Sequence, residues 1–330
     1  MSPVEGAEVV CLRPERDFLE IGVTPPADLR IAYLAPADAG LKDAMRAAQA
    51  LVIPAVGPKL DAELFAGSRV RLVQVTGAGV DRLDAPALKT LGIAVANVAG
   101  GSNSALADYC VAAALDLLRR LSWASAEIRK GNYAAFRAEM IAARLRGLEG
   151  LTVGIVGIGE IGRAVAHAFL HHGSRIVYYD PAVEASSLSA ALGAHALTLE
   201  ALLEQADVVS LHVPLLPATE NLIGAAELER MKPDAVLINA ARGGIVDETA
   251  LAETLTAASI GGAAVDVYST EPPLATNPLL ALRGDAAARL LLTPHIAGVT
   301  RQAWAGLFAA AWQNVRRVLK DGEPPLNRVY

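Results

Sequence analysis

The stretch LTVGIVGIGEIGRAVAHAFL, residues 151–170, constrains the fold more than any other part of this chain. Residues 152–156 are an apolar run that reads as a buried strand, and the residues from 160 onward carry a helical pattern. Between them stands Gly157-x-Gly159-x-x-Gly162. Gly157 permits the tight turn, Gly159 lets backbone approach a pyrophosphate, and Gly162 lets the helix pack close to the strand. The amides of Glu160 and Ile161 then lie at a helix N-terminus, where the dipole favours a phosphate. The next apolar run, RIVYYD, ends in Asp180, eighteen residues beyond Gly162. An acid at that spacing accepts hydrogen bonds from the adenosine ribose hydroxyls of a dinucleotide. It also repels a 2′-phosphate, so the expected cofactor is NAD, with NADH preferred over NADPH.

Apolar runs alternate with helical patterns along almost all of the 330 residues, as parallel α/β layers require. A first series places strands near 30–34, 51–54, 70–75 and 93–97, with helices near 42–49, 62–66 and 86–91. A long helix follows at about 104–121, then a charged, irregular stretch at 129–149. The second series places strands near 152–156, 175–179, 208–212, 236–239, 262–267 and 290–293, and a final helix at about 302–319. Only the second series carries the glycine fingerprint, so two domains with different duties are expected. At 53% hydrophobic and 19% charged residues the chain is no disordered segment, and much of its sheet is expected to be buried on both faces. The net charge of −6 comes with no block of basic residues, so the footprint for a nucleic acid or a membrane surface is missing. The most apolar helical stretch, 105–121, holds Asp108, Asp116, Arg119 and Arg120, too many charges in too short a span to cross a bilayer. The N-terminus has no signal-peptide pattern, and Cys11 and Cys110, the only cysteines, fit a reducing compartment. The expected location is cytoplasmic.

An NAD enzyme that handles a hydroxy acid needs a cation for the carboxylate, an acid/base for the hydroxyl proton, and a group that tunes the base. The chain offers Arg242 in INAARGGIVD, Glu271 in AAVDVYSTEPP and His295 in LLLTPHIAG. Each follows the carboxyl end of an expected parallel strand, where open α/β sheets bind ligands. Singly they read as a turn arginine, an acid before a Pro-Pro bend and a helix cap. Together their chemistry is complementary. His167 and His171 stand four residues apart on the fingerprint helix, with His172 beside them, but no third ligand is evident and no metal is expected. His212 ends a strand and borders the cofactor, and Cys110 reads as a core residue.

With GIVGIGEIGRAVA, HVPLLPATENLI, MKPDAVLINAARGGIVDETALAETL, AAVDVYSTEPP and TPHIAG in that order, the chain resembles the D-isomer-specific 2-hydroxyacid dehydrogenases over nearly its whole length. VQVTGAGVDRLD and the helix start GGSNSALADYC extend the match into the N-terminal half, with Asp108 where that family usually has glutamate. The resemblance implies an α/β fold of two doubly wound domains, a Rossmann NAD-binding domain (101–295) inserted into a flavodoxin-like substrate domain (1–100 and 296–330). Alternation alone would attach the final helix to the second series; the resemblance returns it to the first. Arg242 then corresponds to the arginine that grips the substrate carboxylate, His295 to the proton donor in keto reduction, and Glu271 to the carboxylate that orients the histidine and favours its protonated form. Ala78, Gly79 and Val80 correspond to the loop whose amides hold the substrate carboxylate. Val213, Pro214 and Thr219 line the cofactor, Ala240 sits at its nicotinamide end, and Asp266 lies beside the nicotinamide carboxamide. The family's regulatory extension is not expected here, and the implied assembly is a homodimer, with helix 104–121 a candidate contact or else a core helix. The implied reaction interconverts a small 2-oxo acid and its D-2-hydroxy acid, of glyoxylate/hydroxypyruvate, phosphoglycerate or lactate type. An NAD-sensing, corepressor-like binding protein and a phosphite-type dehydrogenase remain alternatives.

Overall fold

The apolar runs fold into two wholly parallel sheets, one in each of two units of the chain. The computed structural model describes residues 6–183 and 192–330. Residues 1–5 and 184–191, which belong to the expected substrate and dinucleotide-binding domains respectively, lie outside the described residues. The first unit is Met1–Ser102 with Val299–Tyr330, and the second is Asn103–Gly298.

In the first unit β1 (Val9–Cys11), β2 (Ile31–Tyr33), β3 (Ala50–Ile53), β4 (Leu72–Val75) and β5 (Ala94–Ala96) lie in the order β2-β1-β3-β4-β5, the flavodoxin-like doubly wound order. Every residue of β3 and β4 is buried, because helices cover both faces. One face packs Leu41, Met45, Phe65 and Leu88. The other packs Phe18 against the C-terminal helix Arg301–Leu319, with Phe18 ring centroids 4.8 Å from Phe308 and 5.3 Å from Trp312. Thr300 caps that helix by accepting the Ala303 amide. A buried amide pair, Asn314 Nδ2 donating to Gln74 Oε1 at 2.6 Å, pins the helix to β4.

The second unit holds β6 (Thr152–Val156), β7 (Arg175–Tyr179), β8 (His195–Ala196), β9 (Val208–Leu211), β10 (Val236–Asn239), β11 (Gly262–Val265) and β12 (Leu290–Leu292). Their order, β8-β7-β6-β9-β10-β11-β12, reverses direction between β6 and β9. That reversal is the topological switch point, where such sheets open a crevice at their carboxyl edge. Helix Asn103–Arg119 packs Leu106, Cys110, Val111, Ala114 and Leu117 into one core with Val165, Ala166 and Phe169 of helix Glu160–His171. Its apolar face is core rather than an open contact surface.

Four details differ from the sequence reading. β1 was not expected, yet it lies between β2 and β3 at the heart of its sheet; three residues are too few to show a period. The long helix stops at Arg119, where Arg120 turns left-handed at φ +51°, and a second helix, Leu121–Arg129, follows. The stretch expected to be irregular contains helix Tyr133–Ala142, which buries Phe136 alone and so leaves almost no apolar stripe. β8 is a two-residue edge pairing exposed at both positions. Among the described residues no helix is long and apolar enough to cross a membrane.

Candidate active site

The fingerprint turn leaves β6 at the switch point, and its glycines have three separate physical causes. Gly157 adopts φ +92°, and a Cβ there would approach the His212 carbonyl oxygen to 2.7 Å. A Cβ on Gly162 would overlap the Gly157 carbonyl, so only glycine lets the helix close on the turn. At Gly159, the residue before helix Glu160–His171, a Cβ would meet nothing within 4 Å. That open space faces the first helical amides, those of Glu160 and Ile161, which have no intrahelical acceptor. A pyrophosphate fits such a cradle by backbone hydrogen bonding and helix dipole. Asp180 closes it on one side: its carboxylate accepts the Ile158 and Ala182 amides, each at 2.9 Å. The acid therefore stands beside the glycine turn, with lone pairs left for a ribose. These residues fit a dinucleotide.

Beyond β9, Val213 packs against Gly157 and Thr219 donates its hydroxyl to the Pro214 carbonyl at 2.6 Å, which ties that segment into a turn. His212 shares a 2.8 Å hydrogen bond with Ser210, and desolvation pulls its pKa down to about 4, so it is neutral near pH 7. Ala240, just past β10, is 9% exposed. The buried Asn239 side chain accepts the Ala241 amide and donates to the Arg242 carbonyl, which sets the course of the turn that carries Arg242. Gly243 then passes so close to the next loop that a Cβ would overlap the Tyr268 carbonyl.

That contact brings Arg242 and Glu271 together. Burial would push the Glu271 carboxyl up, but the hydrogen bond from His295, the Tyr268 amide and the charges of His295 and Arg242 outweigh it, and its pKa lies below the ordinary value. Glu271 Oε2 sits 2.8 Å from His295 Nδ1, and Glu271 Oε1 accepts the Tyr268 amide at 3.0 Å. With Glu271 ionised, Nδ1–H is the donor, and Nε2 is the ring atom left for proton exchange. Arg242, Glu271 and His295 thus meet beyond the carboxyl ends of β10, β11 and β12, on the edge where the fingerprint turn leaves β6.

Asp266, expected beside the cofactor's carboxamide, is 1% exposed and turned into the His295 loop. Oδ1 accepts from the Thr293 hydroxyl and the Ile296 amide, and Oδ2 accepts the Ala297 amide. Ala78, Gly79 and Val80 belong to the first unit, in the loop after β4. Among the described residues their amides donate to no backbone or side-chain acceptor, while Asn97 holds the Ala78 carbonyl at 2.7 Å. Sequence reasoning missed Tyr268 as a site support, and its partners Gly243 and Thr293 each lie 25 residues away, where spacing carries no signal. It also missed Arg82, whose buried guanidinium donates to the carbonyls of Pro54, Val56 and Pro58 under the same loop. Among the described residues no group of three or more His, Cys, Asp or Glu is placed to hold a metal.

Comparison with known proteins returns a family model described as D-isomer specific 2-hydroxyacid dehydrogenase, NAD binding domain, matched over residues 111–297. A glyoxylate reductase of Korarchaeum cryptofilum is 34% identical over 317 residues, 96% of this chain and 93% of that protein. A D-3-phosphoglycerate dehydrogenase of Archaeoglobus fulgidus is 36% identical over 272 residues, covering 82% of this chain; the match spans only 49% of that relative's length. Among solved structures, the holo form of Rhodotorula graminis D-mandelate dehydrogenase superposes with a TM-score of 0.84 at 26% identity, covering 98% of this chain and 97% of that one.

Proposed function

The chain belongs to the D-isomer specific 2-hydroxyacid dehydrogenases, and on that premise we propose that it interconverts a small 2-oxo acid and the matching D-2-hydroxy acid with NAD(H). The observation that carries the proposal is the meeting of Arg242, Glu271 and His295 on the sheet edge that bears the dinucleotide turn. In the bound state Gly157, Gly159, Glu160, Ile161, Gly162 and Asp180 hold the dinucleotide, and NADH supplies the hydride. The Arg242 guanidinium pairs with the substrate carboxylate and draws charge from the 2-oxo oxygen, a fork geometry that lysine lacks. The amides of Ala78, Gly79 and Val80, in the first unit, are proposed as carboxylate donors by the same family resemblance. His295 Nε2 gives its proton to the carbonyl oxygen as C2 is reduced, and takes it back in the oxidation direction. Glu271 holds the imidazole by Nδ1, which fixes the ring and balances its charge.

Asp180 supports NADH over NADPH, because a 2′-phosphate would meet its carboxylate. The full-length match to a glyoxylate reductase favours a short 2-oxo acid such as glyoxylate or hydroxypyruvate. A homodimer is proposed through the helices after Arg119: Leu121 and Ile128 share one exposed helix face, and Tyr133 and Ile141 another. The buried, free Cys11 and Cys110 fit a cytoplasmic enzyme. The test is NADH oxidation against glyoxylate, hydroxypyruvate, pyruvate, 3-phosphohydroxypyruvate and bulkier 2-oxo acids, with chiral analysis of the product. Turnover to a D-2-hydroxy acid is expected. Tight NADH binding without turnover of any of them would instead indicate a sensor.

A further inference from the structure

His295 sits at φ +55°, a left-handed conformation that is strained for a side-chain-bearing residue and persists only where the surroundings over-determine it. The supports can be named. The His295 amide donates to the Asp266 carbonyl at 2.8 Å, and the Ile296 and Ala297 amides donate to the Asp266 carboxylate, each at 2.8 Å. The Thr293 hydroxyl donates to the same carboxylate, and the Tyr268 hydroxyl donates to the Thr293 carbonyl at 3.0 Å. One further support comes from far away in sequence. Tyr109 Oη lies 2.7 Å from Thr293 Oγ1, across 184 residues. Thr293 has a single hydroxyl proton and gives it to Asp266, so the phenol must be the donor to Thr293. The result is a one-way chain, Tyr109 to Thr293 to Asp266, in which each donor strengthens the next. Burial raises the pKa of Tyr109, so the phenol keeps the proton it donates. Tyr109 stands on helix Asn103–Arg119, with which the second unit begins, and residues 293–297 lie just before Gly298, at which that unit ends.

We propose that Tyr109 is a positioning residue: through Thr293 and Asp266 it holds the segment that presents His295 to the substrate. The proposal rests on His295 being the proton donor. Two variants and their combination test it. Tyr109→Phe keeps the ring and removes one hydroxyl, so kcat for reduction should fall about ten-fold with KM for NADH unchanged, the scale expected of a slightly misplaced acid. Thr293→Val breaks both links and should cost at least as much. The double variant should match Thr293→Val alone, because the Tyr109 bond is already gone there. Hydrogen exchange gives a readout that needs no turnover: the Ile296 and Ala297 amides should exchange about ten-fold faster in Tyr109→Phe. A kcat within two-fold of the parent, losses that multiply, or unchanged exchange at those amides would overturn the role of Tyr109. His295→Asn separates the two levels: if it leaves reduction intact, the assignment of His295 fails, whatever Tyr109 does.

Discussion

Gly243→Ala should disable the site while leaving the cofactor turn untouched. An alanine methyl at 243 would overlap the Tyr268 carbonyl and stand 2.5 Å from the Ser269 nitrogen. Carbon contacts with backbone polar atoms relax at about 3.4 Å, so the arginine turn and the 268–271 loop must separate by about 1 Å or more. Both groups are backbone, and no side chain can swing aside to absorb the overlap. Either Arg242 retreats or Glu271 does, and with Glu271 goes the 2.8 Å bond that orients His295. A misplacement near 1 Å can cost about 100-fold in rate, which is about 2.7 kcal/mol of transition-state stabilisation. Overpacking should also lower stability by about 1–3 kcal/mol. The assay is kcat/KM for reduction of the best 2-oxo acid, beside NADH affinity from fluorescence titration. Affinity should change little. Gly244→Ala is the control: φ +80° imposes about 1 kcal/mol of strain, but its methyl meets only the Leu215 side chain, at 3.6 Å. Its kcat/KM should stay within a few-fold. If Gly243→Ala keeps kcat/KM within three-fold of the parent, the close approach does not place the arginine and the reasoning fails.

Arg242→Lys should raise KM for the oxo acid and lower kcat together, since a point charge replaces a bidentate fork; unchanged steady-state kinetics would remove Arg242 from the site. Asp180→Ser should narrow the preference for NADH over NADPH by on the order of ten-fold, read from the ratio of catalytic efficiencies with the two cofactors. Arg82→Met strands three carbonyl acceptors beneath the loop of Ala78, Gly79 and Val80. It should cost about 2–4 kcal/mol in urea unfolding and raise KM for the oxo acid more than KM for NADH; a KM effect on NADH alone would count against a role at that loop. Asp207 lies at the opposite, amino edge of the second sheet, where it takes Lys232 and Arg146 at 3.0 Å each and the Thr152 amide at 2.8 Å. Burial raises its pKa, but those partners outweigh it and the net shift is downward, so its stabilisation is present above about pH 4 and is lost as pH falls through the lower folded value. Asp207→Asn should therefore cost about 2 kcal/mol at pH 7 with kcat unaffected, and the gap should close towards pH 3; a gap constant from pH 7 to 3 would refute the linkage.

The division between sequence and structure follows the range of each physical signal. β6, β7 and β10 are legible to the residue, because an unbroken apolar run between turn residues has one good use in an α/β chain. The fingerprint is legible for a local reason too: Gly157 and Gly162 answer steric demands set within a few residues or by the adjoining strand end, while Gly159 leaves open space before the helix. Arg242, Glu271 and His295 could be picked out only as a set, because each follows its own strand and their chemistry is complementary. That Glu271 bonds Nδ1, that Gly243 wedges against Tyr268, and that Tyr109 reaches Thr293 depend on strand order and register, which no window of sequence contains. The C-terminal helix marks the boundary. Its periodicity says that one face is buried, and hydrophobic burial is non-directional, so periodicity cannot say against which sheet. The amide pair between Asn314 and Gln74, with Phe18 wedged against Phe308 and Trp312, decides that in the folded chain. The amino-acid sequence by itself determined most of the strands and helices and which residues could do chemistry. Tertiary structure alone decided which of them touch, because contacts between residues 24 to 294 positions apart exist only once the sheets have formed.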